Sequence, residues 1–328
     1  MNVDAGDLWR MADLITPMAL RVVATLRIAD RIREGREELG DLAASVGAEP
    51  GALGRLLRYL TARDLFVEPT PDRFALNDAA RLLLDDDPGG FRRWMDLEGF
   101  GGRMDLSFFE LLGTIRTGRP AGTSDKPGMS DGVAASYDDV MESQSRAQAP
   151  GIVAAVDWAG ARHVVDLGGG TGTLLAELLR AQPHLRATLV ELPRTAERAR
   201  RQFEQAGLAG RCEVIGGDVF QTIPRGADAY LLKFVLHGYD DEACVRLLRA
   251  CREAGGPNAR VLVFERSVGP GEDRSPFTSM DLRMLILNQG RERTVEEFGV
   301  LAVRAGLRVV EASRTPADVH RIELRPAT

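Results

Sequence analysis

The segment Asp166-Leu-Gly-Gly-Gly-Thr-Gly172 determines the fold class of this chain. The residues that lead into it, Val164-Val-Asp-Leu167, predict a buried strand, and Thr173–Ala181 predict a helix directly after it. Glycines between a strand and a helix bring the backbone close to a ligand, because they lack a Cβ atom and tolerate positive φ. The segment therefore predicts a ligand-binding loop at the carboxyl end of a strand.

Short β-branched runs alternate with helical patterns after about residue 150. This alternation predicts a doubly wound α/β domain, a parallel sheet with right-handed crossover helices, whose ligand lies beyond the carboxyl ends of the strands. The last two runs follow each other too closely for a helix between them and predict an antiparallel hairpin. The predicted strands are His163–Leu167, Ala187–Val190, Cys212–Ile215, Ala229–Leu232, Val261–Glu265, Leu307–Ser313 and Asp318–Leu324.

The spacing of the glycine loop distinguishes between two kinds of ligand. From Gly168 it is GxGxG, whereas a dinucleotide loop has its third glycine one place later. Asp166 ends the strand before the loop, where a carboxylate would repel a pyrophosphate. The same carboxylate suits the sulfonium and ammonium charges of S-adenosylmethionine. These features disfavour a nicotinamide oxidoreductase.

Further acids close the next two predicted strands. Glu191 ends the second strand, where a carboxylate can accept hydrogen bonds from both ribose hydroxyls. Asp218 ends the third strand and could accept from an adenine amino group, with Val219 and Phe220 beside the ring. Each acid alone could instead be a helix N-cap or a loop residue. Their places at successive strand ends favour the ligand-binding interpretation.

The first half of the chain is mainly helical and contains a winged-helix pattern. A short helix over Glu38–Gly47 and a second over Pro50–Arg63 precede a hairpin of Leu65–Val67 and Arg73–Ala75. The pattern occurs both in DNA-binding domains and in purely structural domains. Residues 1–85 contain eleven arginines, no lysines and fourteen acids, so they lack the basic balance of a DNA-binding surface.

Two helical segments flank this pattern. Residues 8–33 predict a long, largely apolar helical stretch, which we interpret as a dimerisation surface, with a packed internal helix as the alternative. Residues 130–158 predict two helices separated at Pro150.

Composition excludes several other classes of protein. The formal net charge of −6 gives no reason to expect nucleic acid or anionic membrane as a partner. No run of about eighteen apolar residues predicts a membrane span, and no signal segment predicts secretion. The three cysteines have neither disulfide-framework nor zinc-site spacing, so we expect no metal and a cytoplasmic location.

Together these motifs resemble the small-molecule O-methyltransferases of plants and actinobacteria, most closely the bacterial branch that tailors aromatic polyketides. The resemblance covers nearly the whole chain. The motifs are Asp166–Gly172, Glu191-Leu-Pro193, Gly217-Asp-Val-Phe220, Leu231-Leu-Lys-Phe-Val-Leu-His-Gly-Tyr-Asp-Asp-Glu242, Met280-Asp-Leu-Arg-Met-Leu285 and Gly290-Arg-Glu-Arg-Thr294.

The resemblance implies a fold and a division of the chain. Residues 1–100 would form a mainly α winged-helix domain that dimerises and does not bind DNA. Residues 101–159 would form a helical linker that contributes to the active site. Residues 160–328 would form a Rossmann-like class I methyltransferase domain with a seven-stranded sheet. The protein would be a homodimer that binds S-adenosylmethionine, releases S-adenosylhomocysteine and methylates a small hydroxylated aromatic substrate.

His237 is the histidine that follows the fourth predicted strand and therefore faces the ligand crevice. In the family the histidine of this motif is the general base, which takes the proton of a phenol (pKa of about 10) on an imidazole (about 6.5) as attack develops. The resemblance also implies that Glu265 and Glu292 orient and stabilise this histidine. For Glu265 the alternative is an ion pair with an arginine such as Arg266 or Arg293.

The remaining predicted site residues divide into two groups. The predicted cofactor-binding residues are Asp166, Gly168, Gly170, Glu191, Leu192, Gly217, Asp218, Val219, Phe220, Lys233 and Phe234. The predicted substrate-binding residues are Tyr137, Met141, Met280, Asp281 and Met284. A methionine-rich lining suits a flat aromatic substrate, although the methionines could equally be core residues.

Two alternative functions use the same cofactor site. The first is a family member diverted to hydroxylation, decarboxylation or N-methylation, which the complete set of His237, Glu265 and Glu292 disfavours. The second is a winged-helix regulator that senses S-adenosylmethionine, which the acidic balance of the first 85 residues disfavours.

Overall fold

The fold is that of a computed structural model, which describes residues 3–121, 130–258, 260–268, 275–288 and 290–327. These residues group into two compact units. The first unit is drawn from Met1–Leu106 and Met129–Ser143, and the second from Ser107–Gly128 and Gln144–Thr328. The predicted division into residues 1–100, 101–159 and 160–328 stays a prediction.

The first unit is a helical domain with a small two-stranded wing. Its core is formed by residues such as Ile28, Leu42, Leu57 and Phe74, which are fully buried. Its elements are α1 (Ala5–Ala12), α2 (Ile15–Thr25), α3 (Ile28–Arg33), α4 (Leu39–Val46), α5 (Pro50–Thr61), β1 (Val67–Thr70), β2 (Arg73–Ala75), α6 (Asp78–Arg81), α7 (Phe91–Met95), α8 (Phe100–Leu106) and the first part of α10 (Asp131–Ala154).

The winged-helix pattern is present, with two corrections. The predicted helical stretch over residues 8–33 is three separate helices, because the Asp13 carboxylate accepts the Ile15 N–H (2.9 Å) at the start of α2 and Arg27 adopts a left-handed φ of 56° before α3. The predicted first wing strand, Leu65–Val67, begins two residues later. Phe66 has a φ of 68°, which a strand does not allow.

The predicted helix break at Pro150 is wrong, because α10 continues through it to Ala154. Proline cannot donate an intrahelical hydrogen bond and normally ends or kinks a helix. Here the neighbouring Ala149, Ile152 and Val153 are buried in the core of the second unit. Tertiary packing therefore maintains the helix where local preference would end it.

The second unit is built around a seven-stranded sheet in the order β5-β4-β3-β6-β7-β9-β8. The first five strands in this order are parallel, and β9 and β8 complete the sheet as an antiparallel pair. The strands are β3 (His163–Leu167), β4 (Arg186–Glu191), β5 (Cys212–Gly216), β6 (Ala229–Lys233), β7 (Arg260–Glu265), β8 (Leu307–Arg314) and β9 (His320–Pro326). The helices of this unit are α9 (Leu111–Thr117), the rest of α10, α11 (Thr173–Ala181), α12 (Pro193–Gln205), α13 (Asp241–Gly255), α14 (Ser275–Leu287) and α15 (Val295–Arg304).

This sheet confirms the predicted fold class. All seven predicted strands occur, and only the last begins late, because Asp318 has a φ of 59° and belongs to the turn before β9. Successive side chains of a strand enter different cores: Val164 packs on one side of the sheet and Val165 on the other. Within the described ranges, no helix has the length and apolar character needed to cross a membrane.

We expect two neighbouring substitutions in α10 to change stability in opposite directions. Pro150 is exposed, so Pro150→Ala should raise the free energy of unfolding by about 2 kcal/mol. Alanine is favoured over proline inside a helix by about 3 kcal/mol, and about 1 kcal/mol is lost because the unfolded chain becomes less restricted. Gly151→Ala should lower it, because the new Cβ would lie 2.8 Å from the backbone nitrogen of Ala317. Calorimetric unfolding of the two variants tests this. A Pro150→Ala variant that melts below the wild type would contradict it.

Candidate active site

The glycine loop lies where β3 ends and α11 begins. Gly168 and Gly170 have φ values of 72° and 61°, which residues with a side chain rarely adopt. Gly169 is required for a different reason, because a Cβ there would lie 2.3 Å from Oδ2 of Asp166. The loop is therefore closely fitted to the carboxylate that precedes it.

Asp166 is a buried carboxyl group that lacks hydrogen-bond donors among the described residues. Its side chain is 1% exposed, and neither oxygen accepts a hydrogen bond there. Burial raises the pKa of Asp166 to about 7; Lys233 opposes this rise and Glu191 adds to it. A buried carboxylate is costly unless it is paired. The position is therefore suited to a cationic group of a ligand.

The acid that ends β4 and the acid that follows β5 both accept backbone N–H groups. Glu191 accepts the N–H groups of Gly170 (3.0 Å) and Leu192 (2.8 Å), so it connects the end of β4 to the glycine loop. Asp218 accepts the N–H of Phe220 at 2.9 Å and so stabilises its own turn. Both acids therefore have a structural role, but Glu191 is a buried strand residue and not the helix N-cap or loop residue of the alternative interpretation.

The other predicted residues near these acids are well packed. Gly217 donates its N–H to the carbonyl of Glu191 (2.9 Å), and a Cβ on it would lie 2.7 Å from Oγ1 of Thr222. Val219 is buried, and the ring of Phe220 meets that of Tyr239 edge-on at 5.0 Å.

Lys233 ends β6, close enough to Asp166 and Glu265 to interact with both carboxyl groups. Its ammonium group donates to Oγ of Ser145 (3.1 Å) and lies 4.5 Å from the centre of the Phe234 ring. Burial lowers the pKa of Lys233 to about 8, against the opposing effects of Asp166 and Glu265. Phe234 has a φ of 52°, so the chain turns sharply as it leaves the strand.

His237 lies in the short 3-10 turn Leu236–Gly238 that follows. Its Nδ1 atom is 2.8 Å from Oε1 of Glu292 and 4.0 Å from Oε2 of Glu265. Its side chain is 18% exposed. The structure thus brings the three predicted catalytic residues together.

Glu265 supports this turn through its backbone. Its side chain is fully buried at the end of β7 and accepts the N–H groups of Leu236 (2.9 Å) and His237 (3.2 Å). It forms no ion pair with an arginine in the described parts of the chain, and Arg293 pairs with Asp241 instead. The ion-pair alternative for Glu265 is therefore wrong.

The charges around the imidazole shift the pKa values of His237 and Glu265. Burial disfavours the imidazolium form of His237, but the negative charges of Glu265 and Glu292 outweigh it, and the pKa of His237 is raised. Burial also raises the pKa of Glu265 to about 7, opposed by His237 and reinforced by Glu292. A carboxylate on Nδ1 holds the proton there and leaves Nε2 free to accept another.

Two family models match the chain. Residues 118–308 match the O-methyltransferase domain, and residues 9–86 match the O-methyltransferase dimerisation domain. The chain belongs to the O-methyltransferase family. This O-methyltransferase is an enzyme that uses S-adenosylmethionine, as the resemblance implied.

Its relatives include enzymes of different activity. The 2,7-dihydroxy-5-methyl-1-naphthoate 7-O-methyltransferase of Streptomyces carzinostaticus is 43% identical over 96% of this chain and 96% of its own. The aclacinomycin 10-hydroxylase RdmB of Streptomyces purpurascens is 42% identical over 90% of this chain and 82% of its own. The solved structure of the O-methyltransferase NcsB1 from neocarzinostatin biosynthesis, in complex with S-adenosylmethionine and 2-hydroxy-5-methyl naphthoic acid, is 40% identical with a TM-score of 0.87, covering 97% of this chain and 98% of that one.

The site of this O-methyltransferase fits its cofactor. The unpartnered oxygens of Asp166 offer a negative charge to a sulfonium or ammonium group. A Cβ on Gly170 would meet nothing within 4 Å, so the loop borders open space there. No group of histidine, cysteine and acidic residues in the described ranges could hold a metal ion.

The predicted substrate-binding residues lie in both units. Met284 is buried and Met280 half-buried on α14. Asp281, from the same helix, accepts the N–H of Glu292 at 2.9 Å and so helps to place that acid. Tyr137 and Met141 lie on α10 in the first unit, where the Tyr137 ring packs edge-on against a neighbouring phenylalanine. The substrate contacts of all five stay predictions.

Sequence reasoning missed two residues of the Gly290–Thr294 motif. A Cβ on Gly290 would lie 2.0 Å from the carbonyl oxygen of His237, so this glycine permits the close approach of the two segments. Arg293 is completely buried and bonds to the turn that carries His237. The only signal for Arg293 was its charge, next to Glu292 in the Gly290–Thr294 motif, and charge alone does not reveal that a side chain is buried.

We expect Gly169→Ala to impair cofactor binding. The new Cβ would overlap both the Asp166 carboxylate and the side chain of Leu189 (2.5 Å), so the loop would have to move. The dissociation constant of S-adenosylhomocysteine should rise by at least about tenfold, the cost of overpacking a tight site. Titration calorimetry measures it. Gly160→Ala is the control, because nothing lies within 4 Å of its Cβ. If S-adenosylhomocysteine bound the two variants with equal affinity, the close fit of the glycine loop to Asp166 would be refuted.

Proposed function

We propose that this O-methyltransferase methylates a phenolic hydroxyl of an aromatic natural-product intermediate, with His237 as the general base. The observation that carries the proposal is the 2.8 Å contact between Nδ1 of His237 and Glu292, which leaves Nε2 of a partly exposed imidazole available to a substrate proton. The aromatic substrates named for the naphthoate relative and for the NcsB1 complex support the acceptor class.

The chemistry requires little from the protein beyond position and proton transfer. Bound S-adenosylmethionine supplies an electrophilic methyl group on a sulfonium. Nε2 of His237 takes the phenolic proton as the oxygen attacks this carbon in line, and the sulfonium leaves as a neutral thioether. Glu265 and Glu292 then stabilise the imidazolium that has formed.

We also propose roles for the residues around the cofactor. Asp166 would face its cationic end, Glu191 the ribose and Asp218 the adenine. The buried ammonium group of Lys233 would limit the net negative charge that Asp166 and Glu265 create. The predicted contacts of Gly168, Gly170, Leu192, Gly217, Val219, Phe220 and Phe234 belong to the same proposal.

Met280, Asp281 and Met284 of the second unit would contact the acceptor. The acceptor contacts predicted for Tyr137 and Met141 of the first unit belong to the same proposal. The buried Met284 and the half-buried Met280 support an apolar lining, since a thioether adapts to flat aromatic groups.

We further propose a cytoplasmic homodimer that does not bind nucleic acid. The dimerisation domain supports the homodimer, as does α1, which has no buried residue and leaves Trp9 79% and Met11 76% exposed. The three unpaired cysteines fit a reducing compartment. The excess of acids over arginines in the first 85 residues disfavours nucleic acid.

A mass-spectrometric assay tests the activity and the base. Hydroxylated naphthoic acids incubated with enzyme and S-adenosylmethionine should gain one CH2 unit, whereas the chemistry of the hydroxylase relative would add one oxygen atom. His237→Ala should lower kcat by about 10²–10⁴, the usual contribution of a general base. His184→Ala is the control, because His184 is exposed. A fully active His237→Ala variant would refute the base, and oxygen addition would refute the acceptor chemistry.

The pH profile tests the role of Glu292. Protonated His237 cannot accept a proton, so activity rises with pH along an acid limb whose midpoint follows the His237 pKa. That pKa is raised in part by Glu292, so Glu292→Gln should move the midpoint to lower pH and reduce kcat. Exposed Glu296, in the first turn of α15, provides the control variant Glu296→Gln. An unmoved midpoint in Glu292→Gln would argue against this pairing.

A further inference from the structure

The backbone N–H groups of the turn that carries His237 are held by a buried carboxylate. The N–H groups of Leu236 and His237 both point to Oε1 of Glu265. This fixes one edge of the turn to the end of β7. It leaves the carbonyl groups of the turn to be satisfied by other partners, because buried backbone acceptors are rarely left unpaired.

A buried guanidinium holds the backbone carbonyl groups of the same turn. The guanidinium of Arg293 donates to the carbonyl oxygens of Leu236 (3.1 Å) and Tyr239 (2.8 Å), which lie on either side of His237. Its Nε and Nη2 atoms also donate to Oδ1 of Asp241 (3.0 and 2.8 Å), the first residue of α13. The side chain is completely buried. A planar fork with five donors suits this set of acceptors, and an ammonium group does not.

The backbone of Arg293 is fixed as well. Its carbonyl accepts the hydroxyl of Ser267 (2.9 Å), and the next residue, Thr294, is the N-cap of α15. Glu292 directly precedes it, so one short segment contains both the carboxylate that holds the His237 ring and the guanidinium that holds the His237 turn.

We propose that Arg293 is a positioning residue that sets the distance between Glu292 and the imidazole of His237. It acts by tying the turn to the segment of Glu292, and not through its charge, which Asp241 compensates. The inference rests on the proposed function of His237 as the base. Without Arg293 the imidazole would lose its fixed relation to Glu292, and the proton on Nδ1 would no longer be held.

The test compares arginines that share one partner. Arg291 also contacts Asp241 (3.6 Å) and Glu297 (3.2 Å), but its side chain is 48% exposed and no described bond of its side chain reaches the turn. We would prepare Arg293→Lys, Arg293→Met and the control Arg291→Met. For each variant we would measure kcat, acceptor KM, the dissociation constant of S-adenosylhomocysteine, the pH profile and the melting temperature.

Misplacing the base should slow the chemistry and leave binding intact. For both Arg293 variants kcat should fall by about ten- to a hundredfold, with KM and S-adenosylhomocysteine affinity within about twofold of the wild type. The acid limb of the pH profile should move to lower pH, because His237 loses the stabilising effect of Glu292. A role confined to folding would lower the melting temperature without moving that limb. Arg291→Met should match the wild type in all of these measurements.

Several results would overturn the proposal. A folded Arg293→Met enzyme with wild-type kcat, or one whose lower kcat comes with an unmoved acid limb, would do so. If neither Arg293 variant folds, Asp241→Asn decides: it weakens the anchor of the guanidinium and should show the same two effects in smaller measure, and wild-type behaviour would refute the role. A failure of the proposed general base can be told apart from a failure of this proposal, because it would appear as full activity in His237→Ala.

Discussion

The site depends on one constraint, the parallel pairing of β4, β3, β6 and β7, which brings their carboxyl ends to the same edge of the sheet. Asp166, Glu191, Lys233 and Glu265 lie in the last two positions of these strands. Backbone register, and not flexible loops, therefore determines where the charges of the site lie. Such precision matters when a reaction relies on the relative positions of its groups.

Burying these charged groups costs free energy, which hydrogen bonds to nearby groups offset. Glu191 and Glu265 accept backbone N–H groups, and Lys233 donates to a hydroxyl. Asp166 has no such partner in the described residues, and its pKa is raised to about 7. The one carboxyl group left without donors is thus the one that a cationic ligand would stabilise, which couples cofactor binding to the protonation state of the site.

The sequence predicted the sheet well because its signals are local. Alternating apolar runs and a glycine loop require no knowledge of distant contacts. Where tertiary packing overrides local preference, prediction failed: Pro150 lies inside a helix. The stretch over residues 8–33, which appeared continuous, is divided at Asp13 and at the left-handed Arg27. In the site, motif and strand position predicted His237 and its two acids. Arg293 was missed because its burial depends on three segments that are far apart in sequence.

The hydroxylase relative shows what a shared fold leaves undetermined. This relative, named as a hydroxylase, is 42% identical to the chain, and the naphthoate methyltransferase is 43% identical. Since two relatives of nearly equal similarity differ in activity, the choice between these chemistries depends on the groups that touch the acceptor. In this chain an imidazole is held by Glu292 and its turn is fixed from both sides, by Glu265 and Arg293. An arrangement that orients a proton acceptor this closely serves a reaction in which a hydroxyl must lose its proton as it attacks. That requirement is the strongest physical argument for methyl transfer to oxygen.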